Sequence, residues 1–488
     1  MSDLRPLRPG AFQGGGGERR CVLVAPHFPP GTGAGALRWE KLCEHLARAG
    51  WSLDVLTTDP MSLPARDDTR LAGLPSETRV FGIEAGRVWL DPLEAVALHA
   101  VRGLRAVRRD RLRTPEAAST LSAPPRVVPS LKESYSRQEL RWRISPDELR
   151  RAWHAFAAIE RDRAWARAAA AAAAADLAYV RYRAVITSGP PHMVHVAGEV
   201  MARLWGIPHV VDMRDPWSLV ERLPSAYASQ LALRIARRHE RRIVRSASAV
   251  VTSTEAHRVA LSRVYPEAAP RIVTVMNGCD DDAPPASPRN DRFLIVYTGT
   301  IYLDRDPRPL FAAAGRIVRS ESLPPDEFGI ELMGTVSALD GMSVADLARD
   351  AGLADHVRLH GPAPRREALA LMARATVLVD LPQDSGLAIP SKVFEYMSFP
   401  AWLLAMAEPG TATELLLRDT TADVVRPGDV AAIERVLRRR LEQFRRGERP
   451  APLARDGRFS RRAQTGRMLR VLEHVTGATG VHSPVTSG

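Results

Sequence analysis

A proline, a hydroxyl, a lysine and a glutamate lie close together around the predicted start of one helix, in the segment DSGLAIPSKVFEYMS at 384–398. Pro390 fits the first helical position, because its missing N–H would be unpaired there. The N–H groups from Ser391 onward can then hold a diphosphate, which the helix dipole favours. Glu395 lies one turn further along the same face, where its carboxylate can accept hydrogen bonds from the hydroxyls of a ribose. The segment therefore suits a sugar nucleotide, and it also fits a surface helix with an ordinary proline start.

A second candidate phosphate site follows the apolar run FLIVY at 293–297, in the segment YTGTIYLDRDPRP. Gly299 comes directly after the predicted strand, where a glycine lets the backbone approach a ligand closely. Arg305 and Arg308 lie near the start of the next predicted helix, and a guanidinium can bind a phosphate through two parallel hydrogen bonds. We also expect Gly334, directly after the next strand, to contact the nucleotide sugar. The alternative is a strand-to-helix turn with exposed arginines.

Three segments in the first half of the chain follow predicted strands. The glycines of HFPPGTGAGA at 27–36 are spaced as in a dinucleotide fingerprint, but two prolines precede them, so we interpret the segment as a glycine loop, including Gly33, that faces a cleft. SGPPH ends at His192, and MRDPW contains Arg214 and Asp215. Polar residues at strand ends of an open α/β sheet are candidate site residues, here on the acceptor side. Helix capping and turn formation explain Asp215 nearly as well.

The alternation of short apolar runs and helical patterns explains how these segments come together. Strand, helix and strand follow one another at 20–57, again at 184–252 and again at 293–405. This order predicts parallel sheets with crossover helices, and such sheets bind ligands at the carboxyl ends of their strands. We therefore predict an α/β protein with two Rossmann-like, doubly wound parallel-sheet domains that face a cleft.

Composition divides the chain further, because a proline- and aspartate-rich linker separates the two halves and arginine-rich helices interrupt the first. The predicted units are a flexible leader (1–19), an N-terminal acceptor-side domain (20–285) with a helical insertion at about 93–178, a C-terminal nucleotide-sugar domain (286–455), a helix that packs back toward the N-terminal domain (456–476) and a flexible tail (477–488).

Charge and cysteine content indicate the setting. The formal net charge of +12 favours anionic partners, whether nucleic acid, a phosphorylated substrate or an acidic lipid, and it also fits an arginine-rich solvated surface. Three widely spaced cysteines argue against a disulfide framework and a zinc site, so a reducing cytosol is the simplest compartment. No apolar run of about eighteen residues predicts a spanning helix. The arginine-rich stretch 101–113 fits binding to the acidic inner face of a membrane, and it fits a solvated insertion equally well.

These segments together resemble the retaining glycosyltransferases of family 4, which have the two-domain GT-B fold. The likeness covers about residues 20–92 and 178–476, and it rests on VLVAPHFPPGTGAGALRWEKLCEHLARAGWSLDVLTTD, GIPHVVDMRDPW, MNGCD and PGD. The form I-P-S-K-x-F-E-Y resembles a subgroup associated with the glycosylation of cell-surface polysaccharides, glycolipids or secondary metabolites.

For the donor diphosphate, the resemblance implies a cationic clamp in the second domain. Gly299 matches the family's phosphate loop, Thr300 stands where the family has an arginine, and Arg305 takes the position of its lysine. The implied mechanism is attack by an acceptor hydroxyl on the face that the nucleoside diphosphate leaves, without an enzyme nucleophile. Arg305 and Lys392 would stabilise the departing diphosphate, and the resemblance implies no metal ion or other cofactor.

Two further positions depart from the family pattern, Leu387 and Ser188. Glu395 matches the second of two paired glutamates, the one that binds the ribose, whereas Leu387 stands at the first, which usually contacts the donor sugar. Ser188 stands where many members have a histidine, and His192 is a candidate substitute.

The resemblance implies a hexosyl- or N-acetylhexosaminyltransferase that uses a nucleoside-diphosphate sugar, uridine-linked, and a saccharide, lipid-linked or small-molecule acceptor. It implies no nucleic acid partner, and a location in the cytoplasm or on the inner membrane face. A nucleotide-sugar epimerase of the same fold is one alternative. A non-catalytic scaffold or binding protein is another, because Leu387, Thr300 and Ser188 replace three polar family residues.

Overall fold

The computed structural model describes residues 4–10, 19–32, 34–63, 65–84, 88, 134–140, 145–280, 284–285, 291–302, 304–382 and 385–477. Within these ranges the chain forms two α/β domains, each built on one main sheet with helices against it. The predicted α/β class with two doubly wound sheets is therefore confirmed.

The first domain has an eight-stranded sheet in the order β1-β4-β3-β2-β6-β7-β9-β10, and β5 and β8 pair as a separate ribbon. Neighbours in the main sheet are parallel except β1 and β4, which are antiparallel. The strands are β1 (Arg5–Arg8), β2 (Arg19–Val24), β3 (Trp51–Thr58), β4 (Arg79–Ile83), β5 (Ser134–Ser136), β6 (Ala184–Gly189), β7 (His209–Met213), β8 (Arg222–Pro224), β9 (Ala249–Thr252) and β10 (Ile272–Thr274). The helices are α1 (Ala34–Arg48), α2 (Thr69–Ala72), α3 (Pro146–Asp176), α4 (Val194–Trp205), α5 (Gln230–Ser246) and α6 (Glu255–Val264), with 3₁₀ turns at Pro60–Ser62 and Pro266–Arg271.

The second domain has a six-stranded parallel sheet in the order β15-β12-β11-β16-β17-β18, and β13 and β14 form a small hairpin. The strands are β11 (Phe293–Thr298), β12 (Phe328–Met333), β13 (Ala338–Leu339), β14 (Met342–Ser343), β15 (Val357–His360), β16 (Val377–Asp380), β17 (Trp402–Met406) and β18 (Asp423–Val425). The helices are α7 (Arg308–Glu321), α8 (Val344–Asp350), α9 (Arg365–Ala373), α10 (Ser391–Tyr396), α11 (Ala412–Leu417) and α12 (Val430–Arg445), followed by α13 (Arg461–Thr476).

Buried apolar strands account for both sheets. All six residues of β11 are buried, as are the last five of β2, which is the pattern of a strand covered by helices on both faces. The strand order changes direction between β2 and β6 and between β11 and β16. Ligands of open parallel sheets bind at such points, outside the carboxyl ends of the strands. The fold therefore places the ends of these four strands around one cleft.

The leader is ordered where the sequence predicts flexibility. Residues Arg5–Arg8 form the edge strand β1, and the Arg8 guanidinium donates hydrogen bonds to three carbonyls of the segment before β4. Arg5 also contacts Asp59. The prediction of a flexible leader is wrong for these residues, because side-chain contacts and edge pairing hold a segment too polar to resemble a strand. Residues 11–18 lie outside the described residues.

The final helix α13 packs against the first domain. Met468 and Leu472 are fully buried in the same hydrophobic cluster as Trp39 of α1 and Leu23 of β2. The chain therefore crosses from the first domain to the second near Asp280 and returns before Arg461. These two residues are joined by an ion pair of 2.6 Å between Arg461 Nε and Asp280 Oδ1, so the two crossings lie side by side.

Candidate functional site

A cavity of about 330 Å³ lies between the two domains at the carboxyl ends of both main sheets. The start of α1 and the loops after β7, β11 and β16 contribute to its wall. The described lining is strongly basic, with five arginines against two carboxylates: Arg38, Arg214, Arg222, Arg305 and Arg461 against Asp215 and Glu221. We call this space the basic cavity. Its charge suits an anionic ligand.

The second domain supplies Arg305 and the start of α10 to the basic cavity. The Arg305 guanidinium lies over the Tyr302 ring, 4.4 Å from its centroid, and donates a hydrogen bond of 3.2 Å to the Thr300 carbonyl. Both contacts hold a flexible side chain in one place, and an aromatic face attracts a cation. Arg305 is therefore preorganised at the cavity wall.

Helix α10 begins one residue later than predicted. Pro390 has an extended backbone (ψ 136°) and caps the helix, so Ser391 is the first helical residue, and both line the basic cavity. Buried Val393 and Phe394 anchor the helix in the core. The Tyr396 hydroxyl donates to the Thr298 carbonyl and accepts from the Thr298 N–H, at 3.2 and 2.8 Å. These bonds fix α10 relative to the end of β11.

Glu395 and Lys392 lie one turn behind the cavity wall and contact each other. Lys392 Nζ is 3.0 Å from Glu395 Oε2, and an Arg365 nitrogen lies 3.4 Å from Glu395 Oε1. Arg365 also pairs with Asp280 at 2.6 Å. Burial raises the pKa of Asp280, but the charges of Arg461 and Arg365 more than offset this and leave it below its usual value. A chain of alternating charges therefore runs from α13 through the crossing to α10.

Three of the other predicted donor-side residues are close to the site without lining the basic cavity. Gly334 has φ +125°, and a Cβ there would lie 2.0 Å from the Gly299 carbonyl oxygen, so both glycines serve close packing at the ends of β11 and β12. The Thr300 carbonyl accepts the bond from Arg305.

Arg308 differs from the prediction. Its guanidinium pairs with Asp306 at 2.7 Å and with Asp340 at 3.3 Å, and it is not among the lining of the basic cavity. These two carboxylates offset the charge of the guanidinium. Asp306 lies two residues before Arg308, which is the first residue of α7. The structure therefore places Arg308 outside the described lining of the basic cavity.

The first domain supplies Arg214, which is largely enclosed by the loop after β6. It donates to the Gly189 and Pro190 carbonyls at 3.2 and 2.6 Å, and no described carboxylate lies within ion-pair distance of it. Burial lowers the pKa of this guanidinium. A Cβ at Gly35 would lie 2.1 Å from an Arg214 nitrogen, so the glycine loop leaves room for this cation. Gly33 itself lies outside the described residues.

His192, predicted on the acceptor side, is not among the described lining of the basic cavity. Its ring stacks on Trp217 with 5.2 Å between the ring centroids, and its Nδ1 is buried without a hydrogen-bond partner. Burial and the Arg214 charge lower its pKa to about 3. The reason is the turn after Gly189, which directs the ring into the domain instead of the cleft. Asp215, by contrast, is exposed at the cavity wall.

Arg38 and Asp212 form a buried ion pair that sequence reasoning missed. Two Arg38 nitrogens lie 2.9 and 3.2 Å from the Asp212 carboxylate, which also accepts from the Ser188 hydroxyl and the Trp39 indole at 2.9 and 2.8 Å. Arg38 further donates to Asn277 Oδ1 at 3.2 Å. The pair joins α1, β6, β7 and the crossing, and so fixes the floor of the cleft. The serine at position 188 thus has a structural partner.

The two domains also contact each other across the cleft. Arg222 pairs with Asp304 at 2.9 Å, and the Glu221 carboxylate accepts a hydrogen bond of 3.1 Å from the Gly386 N–H. The Thr254 hydroxyl donates to the Leu387 carbonyl at 2.6 Å. Two of these contacts hold the loop before α10 against the first domain.

The described residues contain neither a metal-binding cluster nor a helix that could span a membrane. No group of three or more histidine, cysteine, aspartate or glutamate side chains in the described part of the chain is arranged to hold a metal ion. Among the helices that the structure describes, none has both the length and the apolar character to cross a bilayer. The arginine-rich stretch 101–113 lies outside the described ranges.

Part of the chain is similar in sequence to a known glycosyltransferase. No protein-family model matches the chain. The chain is similar to the D-inositol 3-phosphate glycosyltransferase of Thermobifida fusca (strain YX), with 26% identity over 196 residues. The match covers 38% of this chain and 45% of that protein, so the chain spans less than half of the relative's length.

Comparison in structure extends over nearly the whole chain. The sucrose-phosphate synthase of Thermosynechococcus elongatus has a TM-score of 0.60 at 16% identity, covering 94% of this chain and 100% of that one. A mutant TarM of S. aureus, in complex with fondaparinux, α-GlcNAc-glycerol and UDP, has a TM-score of 0.56 at 9% identity, covering 93% and 99%. At these identities the likeness concerns the fold, and the chain has the two-domain GT-B fold.

Proposed function

We propose that this chain is a glycosyltransferase that moves a sugar from a nucleoside-diphosphate sugar to a hydroxyl acceptor. The observation that carries the proposal is the basic cavity, with Arg214 on one wall and Arg305 on the other. A diphosphate brings negative charge into the cleft, and each guanidinium can bind phosphate oxygens through two parallel hydrogen bonds. The name of the sequence relative and the UDP in the TarM complex support the same class of reaction.

In this proposal the second domain binds the nucleoside diphosphate. Arg305 and the first N–H groups of α10 contact the diphosphate, and Glu395 accepts hydrogen bonds from the ribose. Lys392 keeps further N–H donors for a phosphate oxygen while it contacts Glu395, because an ammonium has three donors. Uridine is the proposed base.

The transfer proceeds with retention and needs no enzyme nucleophile. The acceptor oxygen forms a bond to the anomeric carbon on the face from which the diphosphate leaves, the carbon–oxygen bond to the diphosphate breaks, and the acceptor proton passes to a diphosphate oxygen. Arg305 and Arg214 stabilise the charge that develops on the leaving group, and preorganised cations do this at no reorganisation cost. No metal ion or other cofactor is required.

The acceptor enters from the first domain. Asp215 lines this side, and its carboxylate can accept a hydrogen bond from an acceptor hydroxyl. We propose a saccharide, lipid-linked or small-molecule acceptor, and a hexosyl or N-acetylhexosaminyl donor. Cell-surface polysaccharide, glycolipid or secondary-metabolite synthesis in the cytoplasm, or at the inner membrane face, would be the setting.

Calorimetric titration with a panel of nucleoside diphosphates and their sugar conjugates tests the first step. We expect binding of a uridine diphosphate species in the micromolar range and a loss of at least tenfold in Arg305→Ala. Arg308→Ala is the matched control, because its guanidinium is paired outside the cavity. Absence of binding to every nucleotide in the panel would falsify the proposal.

Turnover separates the transferase from its two alternatives. Transfer from the bound donor to a crude extract of polysaccharide, lipid and small-molecule acceptors, with release of nucleoside diphosphate, supports the transferase. Inversion of the donor sugar without any acceptor would identify an epimerase. Tight nucleotide-sugar binding with neither reaction would identify a binding protein.

A further inference from the structure

A second cavity, of about 450 Å³, adjoins the basic cavity and shares Glu221 and Ser385 with it. Its described lining comes from the second domain, apart from Glu221. The charge is opposite to that of its neighbour, since the described lining holds no lysine or arginine and four carboxyl groups: Glu221, Asp304, Asp380 and Glu408. We call this space the acidic cavity.

Two polar side chains in the wall of the acidic cavity are buried and form no hydrogen bond with the described residues. Asp380, at the carboxyl end of β16, is 3% exposed, and none of the described groups forms a hydrogen bond or close ion pair with its carboxyl. Thr413, in the first turn of α11, is also 3% exposed, and its hydroxyl has no hydrogen-bond partner. Leaving a buried polar group unsatisfied costs about 1–3 kcal/mol. The unpartnered Thr413 hydroxyl and the Asp380 carboxyl, which has no hydrogen bond within the described residues, belong to the wall of one cavity, and this indicates that a ligand contacts them.

We propose that the acidic cavity binds the glycosyl group of the donor, that Asp380 and Thr413 contact this sugar directly, and that the sugar is neutral or amino-bearing and not a uronic acid. The inference rests on the proposed function, because the two cavities share a wall and the diphosphate occupies the basic one. Carboxylates accept hydrogen bonds, so the ligand must present donors, as sugar hydroxyls do. Asp304 and Glu408 pair with Arg222 and Arg426, but no described ion pair offsets Glu221 or Asp380. A carboxylate on the sugar would meet these two carboxyl groups, and no lysine or arginine is among the described lining.

The protonation equilibrium of the Asp380 carboxyl is compatible with a contact to sugar hydroxyl groups. Burial raises the pKa of its carboxyl to about 7, and the nearby Arg305 charge opposes this rise. A carboxyl with this pKa is partly ionised near neutral pH. Its ionised form accepts hydrogen bonds from hydroxyls and repels a carboxylate, and its neutral form can also donate one hydrogen bond. Because Arg305 also faces the diphosphate, the two residues lie at the junction between sugar and phosphate.

The test measures sugar selectivity at constant nucleotide. The nucleoside diphosphate that binds best, its glucose conjugate and its glucuronic acid conjugate are titrated at pH 7.5 into the wild type, Asp380→Asn and Thr413→Val. We expect the wild type to bind the glucose conjugate at least tenfold more tightly than the glucuronic acid conjugate. Thr413→Val should weaken the glucose conjugate about fivefold, and Asp380→Asn should reduce the discrimination at least threefold. Thr413→Val should leave the affinity for the diphosphate alone unchanged.

Matched controls are Asp419→Asn and Thr421→Val, which make the same chemical changes at exposed positions outside the acidic cavity. Equal affinity of the wild type for both conjugates overturns the inference, as does a parallel loss for the conjugate and the diphosphate in both variants. If one variant does not fold, the wild-type ratio and the other variant still decide. If no nucleotide binds, the proposed function itself is contradicted. If the diphosphate binds but the protein does not discriminate between the sugars, only this inference is contradicted.

Discussion

Arg222 of the first domain and Asp304 of the second form an ion pair across the cleft, with 2.9 Å between Arg222 Nε and Asp304 Oδ2. The neighbouring Glu221 accepts from the Gly386 N–H, so two consecutive residues of one domain hold two loops of the other. The same two loops supply walls to both cavities. The contacts that hold the two domains together therefore also hold the loops that form both cavities, and a closed cleft excludes water from reacting groups.

Removing the Arg222 side chain should open the cleft without unfolding the protein. Both partners are about one-third exposed, and exposed pairs contribute about 0.2–1 kcal/mol. Arg222→Ala should therefore reduce the ratio of closed to open molecules by up to about fivefold, seen as a larger radius of gyration in small-angle scattering without ligand. The reversed pair Arg222→Asp with Asp304→Arg should recover the closed form. An unchanged radius in the single variant contradicts this role.

Glu395 should determine whether the protein distinguishes ribose from deoxyribose. Its carboxylate lies behind the start of α10, held by Lys392 and Arg365. Hydrogen bonds to charged groups contribute about 1.5–3 kcal/mol, so Glu395→Gln should weaken uridine diphosphate binding about tenfold or more. Binding of 2′-deoxyuridine diphosphate should change much less. Equal losses for both ligands would show that the carboxylate acts only through Lys392 and Arg365.

Loss of the Arg305 side chain should lower kcat by a larger factor than it lowers the affinity for the donor. A preorganised donor aimed at developing charge contributes about 10²–10³ in kcat. We expect Arg305→Ala to lower kcat in the transfer assay by about that factor, while Arg308→Ala stays within twofold of the wild type. A kcat that falls equally in both variants would assign the effect to the general charge of the loop.

Chelation should leave the transferase active. The cations that face the diphosphate in this proposal are Arg214 and Arg305, which no chelator removes. Full activity after dialysis against EDTA, and no gain on adding Mg²⁺ or Mn²⁺, is the expected result of initial-rate assays. A loss that either ion restores would contradict the proposed metal-free mechanism.

The fold is readable from the sequence because its strands are continuous apolar runs, and FLIVY and HVVD lie inside observed strands. The site is only partly readable. Arg305 and the start of α10 follow from local spacing, whereas Arg38 meets Asp212 across 174 residues of chain, and no local pattern signals that pair. Asp380 closes an apolar strand as a single acid, which gives no periodic signal. Its significance comes from burial, a property of the folded chain alone.

The first domain should lose stability as the pH falls below about 6.5, because it buries histidines in the neutral state. Burial lowers the pKa of His209 to about 3 and that of His257 to about 4, and burial together with Arg214 lowers that of His192 to about 3. The unfolded chain, with histidine pKa values near 6.5, then binds more protons than the folded chain between these limits. The free energy of unfolding therefore has its full value above pH 6.5. It declines from there toward pH 4, by roughly 1 kcal/mol per histidine and pH unit.

His257 isolates this effect best, since neither of its ring nitrogens has a hydrogen-bond partner. His257→Leu removes two unsatisfied polar atoms from a fully buried site, so it should raise the free energy of unfolding at pH 7.5 by about 1 kcal/mol. The slope of the free energy of unfolding against pH should also become smaller. The reason is that the unfolded variant has one imidazole fewer to protonate, so unfolding takes up as much as one proton less. Urea unfolding at pH 7.5, 6.5 and 5.5 measures both quantities. If the variant keeps the full wild-type slope, His257 is not among the groups that cause the acid sensitivity.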